Sequence, residues 1–387
     1  MSTRNDLEPL FQPIQVNGLT LPNRLAMAPM TRSFCAGHTP NDLVSAYYRR
    51  RAEGGTALLV TEGVGIDHPA SIGEGSGSGA GVPVLYGDAP IAGWRKVVEE
   101  VHKGGGFIFP QLWHQGPFRV PGTGPSPEAD TISPSGTWGP TDRRTNAHPE
   151  HMVAYKKAHR AMTEEDIADV VAAYGRSAAV AKEVGFDGIA IHGASGYLID
   201  SFFWPETNRR TDGYGGDMAA RARFGVEVVK AIRDAVGATM PILFRFAQWK
   251  QQDFDARIAQ TPDELGVLLG ALAHAGVDMF DASTLYFSKP AFDGSPLPLA
   301  GWARKLTGKQ SMAVGGVGLS DDLFNSLSIG GAKVEKNYYE AAERLAQGEY
   351  DMLALGRALI ADPDWPKKVR AGAEPEAFDR AVLAQLV

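Results

Sequence analysis

The sequence predicts an α/β fold, a closed (β/α)8 TIM barrel, and three observations lead to this prediction. Apolar, strand-like segments alternate with amphipathic helical segments along the 387 residues. Eight strand segments can be counted, and each is almost continuously hydrophobic, as parallel strands buried on both faces are. Eight strands alternating with helices are typical of a closed barrel rather than of an open doubly wound sheet.

The eight predicted barrel strands are spread over most of the chain. They are RLAMAPM (24–30), TALLVTEG (56–63), FIFPQLWH (107–114), DGIAIHGA (187–194), ILFRFAQ (242–248), MFDASTL (279–285), SMAVGGV (311–317) and MLALGR (352–357). We expect an N-terminal hairpin ahead of the first of them. Barrels of this kind often exceed 200 residues without a second domain, so we expect one domain over residues 1–387.

Two of the connecting helices have clear start signals. Residues 163–166 (TEED) resemble a capping box, and apolar residues follow at helical spacing up to Gly185, which suits a left-handed C-cap. Residues 261–264 (TPDE) combine a Thr N-cap, Pro at the first helical position and Glu at the third. Both segments therefore predict helices that begin at these residues.

One long segment interrupts the alternation of strands and helices. Residues 115–162 are polar and rich in Gly and Pro, and they follow the third predicted strand. Loops that follow barrel strands form the active-site face of the fold. We therefore interpret 115–162 as a lid-like insertion or as a wall of the substrate pocket.

Composition excludes several classes of function. The net charge of −7 and the lack of a Lys/Arg cluster argue against binding to nucleic acid. Cys35 is the only cysteine, so an intramolecular disulfide, a cysteine-ligated zinc site and a four-cysteine iron–sulfur cluster are excluded, and the histidine spacings predict no metal site. Because no apolar stretch is long enough for a membrane span or a signal peptide, a cytoplasmic location is the default expectation.

The sequence lacks the fingerprint of a Rossmann dinucleotide-binding fold. The glycines of 63–65 follow a strand, but His68 occupies the third glycine position, and Asp321 does so after the glycines of 315–318. Any nicotinamide cofactor must therefore bind without that motif.

The strongest cluster of polar side chains follows the fourth strand, in the segment IHGASGY (191–197). Polar residues at this end of a barrel strand face the active site. His192 and Ser195 could both donate to one oxygen atom, and Tyr197 could supply a proton. From the residues alone, purely structural roles are more common for such a His and Tyr than catalytic ones.

Several long motifs, in their correct order, resemble the old yellow enzyme family of flavin-dependent ene-reductases over nearly the whole chain. They are LFQPIQVNGLTLPNRLAMAPMTR, TEGVGI, QLWHQG, HGASGYLIDSFFWPETNRRTDGYGG, FRFAQW, AVGGVG and ALGRALIADPDWP. The resemblance implies a barrel that binds FMN non-covalently and uses NAD(P)H as its hydride donor.

By that resemblance, the FMN would be held by residues at the strand ends: Pro29, Met30, Thr31, Gly63, Gln111, His192, Arg245, Gly315, Gly316, Gly356 and Arg357. The Thr31 hydroxyl would donate to the C4 carbonyl, and Gln111 would meet the pyrimidine edge. Arg245 would lie near N1 and the C2 carbonyl, where a cation favours the reduced flavin. The last four residues would bind the phosphate.

The resemblance also implies a ping-pong mechanism on an activated alkene: an enone, enal, maleimide or nitroalkene. His192 and Ser195 would bind the oxygen of the substrate, and Tyr197 would protonate the α-carbon. Trp113 and Tyr286 would form walls of the substrate pocket. The family usually carries His or Asn where this chain has Ser195, so the oxygen-binding pair departs from the family pattern.

Other functions remain open on the same scaffold. Reduction of nitrate esters or nitroaromatics needs less from Tyr197, and an NAD(P)H oxidase needs no alkene site. A barrel enzyme without flavin is the remaining alternative. The expected partner is a small-molecule substrate, without nucleic acid or membrane, and the chain is expected to be a monomer or a homodimer.

Overall fold

The computed structural model describes residues 4–73, 81–145 and 149–386. The strands in this part of the chain are, in order, β1 (Ile14–Val16), β2 (Leu19–Leu21), β3 (Leu25–Met27), β4 (Leu58–Gly65), β5 (Phe107–Trp113), β6 (Ile132–Ser133), β7 (Arg160–Ala161), β8 (Ile189–His192), β9 (Ile242–Phe246), β10 (Met279–Ser283), β11 (Gln310–Val314), β12 (Gly331–Ala332), β13 (Met352–Leu355) and β14 (Phe378–Asp379).

Eight of these strands pair parallel in a closed barrel, which confirms the predicted fold class. The order around the barrel is β10-β11-β13-β3-β4-β5-β8-β9. The strands are buried along nearly their whole length, as the continuous apolar segments of the sequence predict. The remaining strands form three two-stranded pairs, β1 with β2, β6 with β7, and β12 with β14.

Helices surround the barrel and connect its strands. The α-helices of the described chain are α1 (Asp42–Glu53), α2 (Asp88–Lys103), α3 (Pro149–Tyr155), α4 (Glu164–Val184), α5 (Leu198–Phe203), α6 (Met218–Val236), α7 (Pro262–Ala275), α8 (Leu299–Thr307), α9 (Leu323–Ile329), α10 (Tyr338–Ala346), α11 (Arg357–Ala361) and α12 (Trp365–Ala371). Short 3-10 helices cover Arg4–Phe11, Ala36–His38, Gly116–Phe118 and Arg380–Ala384. None of the helices described is both long and apolar enough to cross a membrane.

Both predicted helix starts are confirmed. The Thr163 side chain accepts the main-chain N–H of Asp166, and the Asp166 carboxylate accepts the N–H of Thr163, which is a capping box at the start of α4. Gly185 ends α4 at a φ of 101°. Thr261 caps α7 through the N–H of Glu264.

The predicted N-terminal hairpin is the antiparallel pair β1–β2, with Ile14 opposite Leu21. Its apolar side chains join a cluster with residues at the amino ends of the barrel strands, including Leu58, Met279 and Met352. The hairpin therefore closes the amino end of the barrel, and the carboxyl end is left for a site.

The insertion 115–162, apart from 146–148, which lie outside the described residues, contains short elements of its own. The 3-10 helix Gly116–Phe118, β6, α3 and β7 lie within it, and β6 pairs with β7. Its aromatic side chains pack beside the segment after β8, because the ring centroids of Phe118 and Tyr197 are 4.9 Å apart. The insertion thus adjoins this segment, while its action as a lid stays a prediction.

Candidate active site

A cavity of about 250 Å³ lies at the carboxyl end of the barrel. Each of the eight barrel strands supplies a lining residue at or near its carboxyl end: Ala28, Gly63, Gln111, His192, Arg245, Ser283, Val314 and Ala354. Strand register explains why these side chains meet, since Gly63 pairs with Gln111 and His192 pairs with Arg245 on neighbouring strands. Side chains in equivalent positions of a closed barrel converge on one site.

Every residue predicted to bind the cofactor lines this cavity, and Ser195 and Tyr197 line it as well. The structure therefore brings together residues separated by more than 300 positions in the sequence, from Pro29 to Arg357.

Two buried nitrogen atoms at the cavity wall lack a hydrogen-bond partner among the described residues, Gln111 Nε2 and His192 Nδ1. Buried polar groups are nearly always hydrogen-bonded, and leaving one without a partner costs about 1–3 kcal/mol. These two atoms therefore indicate a polar ligand in the cavity. The edge of a flavin pyrimidine ring, which carries carbonyl oxygens and ring nitrogens, has the complementary chemistry.

His192 is neutral in this setting. Its pKa lies well below the ordinary histidine value, because burial disfavours the charged ring and because Arg245 adds a positive charge nearby. A neutral imidazole carries one N–H donor and one acceptor, so His192 can donate one hydrogen bond to a ligand.

Arg245 is fixed by two side chains from the adjacent strand. Its guanidinium is paired with the Asp281 carboxylate, and its Nη2 donates to Ser283 Oγ at 2.9 Å. The positive charge is thus held in one place at the cavity wall instead of rotating freely.

The loops after β11 and β13 carry residues of the kind that can hold an anion. Gly315 and Gly316 have φ values of 130° and 64°, and a Cβ on Gly315 would lie 2.4 Å from the Thr284 carbonyl oxygen, so only glycine fits there. Arg357 stands opposite, where its Nη2 donates to the Asp321 carbonyl at 2.9 Å and its Nη1 to Ser326 Oγ. Main-chain turns with positive φ and a fixed guanidinium suit a phosphate group.

Aromatic packing orients Tyr197. Its ring lies 4.7 Å from the His192 ring and 4.9 Å from the Trp113 ring, both edge to face. Trp113 is 1% exposed and fills the space left by Gly63, where a Cβ would lie 2.5 Å from the indole. Trp113 therefore stands one layer behind the pocket, and its predicted role as a wall is indirect.

Tyr286 lies on a neighbouring cavity of about 280 Å³, 39% exposed. Its hydroxyl donates to the Asp322 carboxylate at 3.0 Å. The two cavities share lining residues, among them Trp249 and Leu285. Tyr286 therefore lines this second cavity, and its predicted role as a wall of the substrate pocket stays a prediction.

Glu62 holds the loop that carries Thr31. It is buried, and one carboxylate oxygen accepts the main-chain N–H groups of Arg32 at 3.0 Å and Ser33 at 3.1 Å. Burial raises the pKa of Glu62 to about 7, against the opposing effect of these two hydrogen bonds. Ser33 has a positive φ of 59°, so the loop takes a shape that local preference alone does not favour.

Sequence reasoning missed several side chains of the cavity, among them Trp249, Gln251 and Phe324. Trp249 and Gln251 follow β9, and Phe324 lies in the first turn of α9. The motif FRFAQW reaches Trp249 and was the available signal, whereas no pattern in the sequence points to the other two. Within the described chain, His, Cys, Asp and Glu form no group of three suited to a metal ion.

The known proteins that are similar to this chain agree with one another in family. The sequence profile of the NADH:flavin oxidoreductase / NADH oxidase family matches residues 9–376. A flavin oxidoreductase of Emericella nidulans is 32% identical over 99% of this chain and 96% of its own length. A putative 12-oxophytodienoate reductase of Oryza sativa subsp. japonica is 30% identical over 97% of this chain and 90% of its own length.

A solved structure of morphinone reductase in complex with tetrahydroNAD is similar to the whole fold. It superimposes with a TM-score of 0.77 at 28% identity, covering 97% of this chain and 93% of that chain. The similarity therefore extends over the barrel and over the segments that build the cavity.

Proposed function

The chain belongs to the NADH:flavin oxidoreductase / NADH oxidase family and is an NAD(P)H-dependent flavin oxidoreductase, and from this premise we propose that it reduces activated alkenes with bound FMN. The single observation that carries the proposal is the cavity, which brings glycines and an arginine suited to a phosphate together with the unpartnered amide nitrogen of Gln111. FMN carries its phosphate at one end and the polar pyrimidine ring at the other, so it needs both features.

The residues of the cavity suit the parts of FMN in turn. Gly315, Gly316, Gly356 and Arg357 would hold the phosphate, and Gln111 would meet the pyrimidine edge, beside Gly63. Pro29, Met30 and Thr31 would lie along the ring, and Arg245 would place its charge near N1 and the C2 carbonyl. The flavin would accept a hydride from the reduced nicotinamide and pass it to the β-carbon of the alkene.

The remaining polar side chains act on the substrate. The neutral His192 would donate to the carbonyl or nitro oxygen of the alkene, with Ser195 beside it, and so withdraw electrons from the β-carbon. Tyr197 would give its phenolic proton to the α-carbon and recover one from solvent. Overall, NAD(P)H, one proton and the alkene give NAD(P)+ and the saturated product.

Purified protein tests the proposal directly. We expect a yellow protein that releases FMN on denaturation, consumes NAD(P)H with cyclohexenone or maleimide, and yields the saturated product in equal amount. A colourless protein that takes up no added FMN would refute the proposal.

The family description favours one second candidate, an NAD(P)H oxidase in which O₂ replaces the alkene. Turnover measured with and without air separates the two. If NAD(P)H consumption needs O₂ and no alkene accelerates it, the oxidase is the function.

A further inference from the structure

Gln251 lies at the wall of the cavity beside Ser195. It is 8% exposed and lines the cavity together with His192, Ser195 and Tyr197. Its Nε2 donates to the Ser195 carbonyl at 3.4 Å. Because an amide nitrogen carries two N–H groups, one of them remains for a ligand.

The main chain of Gln251 is fixed on both sides. Its N–H donates to the Ser195 carbonyl at 3.3 Å, and its carbonyl accepts the hydroxyl of Thr145, from the insertion, at 2.6 Å. Ser195 and Lys250 also form an isolated parallel bridge. The segment after β9 is thereby attached to the segment after β8 next to Gln251.

A buried ion pair also connects the same two segments. Lys250 Nζ lies 2.8 Å from the Asp200 carboxylate, and both side chains are 0% exposed. The other carboxylate oxygen accepts the N–H of Gly196 at 2.5 Å. Removing one member of a buried pair is strongly destabilising, so the pair restrains the relative position of the two segments.

We propose that Gln251 is a further catalytic residue, the second donor to the substrate oxygen alongside His192. The proposal rests on the alkene-reductase function proposed above. Stabilising a developing oxyanion requires fixed donors in hydrogen-bond reach of that oxygen. A serine hydroxyl stays close to the main chain, whereas Gln251, on the neighbouring segment, lines the same cavity with a longer side chain.

The test uses the FMN-loaded enzyme and phenol, whose phenolate oxygen mimics the enolate oxygen. Gln251→Met keeps the length of the side chain and removes both donors. We expect the calorimetric Kd of phenol to rise about ten- to hundredfold, the usual effect of losing one hydrogen bond to a charged group. Cyclohexenone reduction should slow as well.

Gln252→Met is the matched control. Gln252 is buried in the same turn, but its amide donates to the Gly196 and Trp138 carbonyls instead. We expect this variant to lose thermal stability and to bind phenol as the wild type does. An unchanged phenol Kd in Gln251→Met, or an equal rise in both variants, overturns the role of Gln251. If the wild type holds FMN and reduces cyclohexenone in that case, the proposed function stands without it.

Discussion

Tyr197 is oriented by rings on two sides, and its role as proton donor can be separated from this packing. Tyr197→Phe keeps the ring contacts with His192 and Trp113 and removes only the hydroxyl. We expect the oxidative half-reaction with enones to slow by about 10²–10⁴-fold, the usual effect of losing a positioned proton donor. Stopped-flow measurement of both half-reactions checks this.

The reductive half-reaction is the internal control for Tyr197→Phe, since hydride transfer from NAD(P)H needs no proton from this residue. Nitroalkenes should be affected less than enones, because a nitronate can leave without being protonated. Equal losses in both half-reactions would show that Tyr197 acts structurally.

Gly63 shows how one missing methyl group shapes the site. A Cβ at this position would lie 2.5 Å from the Trp113 ring, which is held against His192 and Tyr197. We expect Gly63→Ala to destabilise the protein by about 1–3 kcal/mol through overpacking and to weaken FMN binding. Urea unfolding and FMN titration measure the two effects.

Gly270→Ala is the matched control for Gly63→Ala. Gly270 lies within α7, and a Cβ there meets nothing within 4 Å. We expect this variant to gain about 0.5–1 kcal/mol of stability, because alanine favours the helix interior. If Gly63→Ala is as stable as the wild type, the indole moves more easily than its contacts imply.

At the residue scale, the sequence predicted the cavity residues that its recognisable motifs contain and missed Gln251, which no motif contains. His192 is the last residue of β8, and Arg245 lies within β9. The barrel fixes the direction of both side chains. The approach of Gln251 to the cavity depends instead on contacts with Ser195 and Thr145, which are distant in the sequence. Hydrophobic patterning carries no information about such contacts.

At the element scale, all eight predicted barrel strands are confirmed, but several end earlier than predicted. The apolar segment at 24–30 continues to Met30, whereas β3 ends at Met27 because the chain then leaves the barrel and lines the cavity. β4 starts and ends two residues later than predicted, and its pairing with β5 shifts between Val60 and Gly63. Such irregularities depend on neighbouring strands, so the sequence pattern does not show them.

The start of α4 ties the insertion to the barrel through Asp166. Its carboxylate accepts hydrogen bonds from Arg160 in β7 and from the N–H of Thr163. The hydrogen bond from Arg160 is the main cause that lowers the pKa of Asp166 to about 2. Because the folded pKa lies below the unfolded value near 3.9, the stabilisation is present above that value and is lost as the pH falls towards about 2.

We expect Asp166→Asn to be less stable than the wild type at neutral pH, with a difference that shrinks between about pH 4 and pH 2. Urea unfolding at several pH values measures that difference. Glu165→Gln, in the same first turn but exposed, is the matched control and should shift stability little. A difference that is constant with pH would mean that the carboxylate charge contributes nothing.

At the scale of the whole molecule, the two ends of the barrel differ in structure: one is closed and the other holds the cavity. The β1–β2 hairpin seals the amino end with apolar side chains, and all eight strands direct residues into the cavity at the other end. The resemblance to the old yellow enzymes, seen in motifs spread from strand to strand, is confirmed by a family match over residues 9–376. The sequence could predict this much because each motif lies at a strand end, where the barrel itself sets its position.

Because the cavity draws on every barrel strand, FMN should bind only the folded barrel and stabilise it as a unit. A ligand at one hundred times its Kd that binds only the folded state adds about 2.7 kcal/mol. Arg357→Ala removes the guanidinium of the proposed phosphate site, where a charge-assisted contact would be worth about 1.5–3 kcal/mol. We therefore expect FMN to raise the unfolding temperature of the apoprotein, and to do so less at equal FMN in Arg357→Ala. Arg95→Ala, on the exposed face of α2, should respond as the wild type does. Equal shifts in all three proteins would place the phosphate elsewhere.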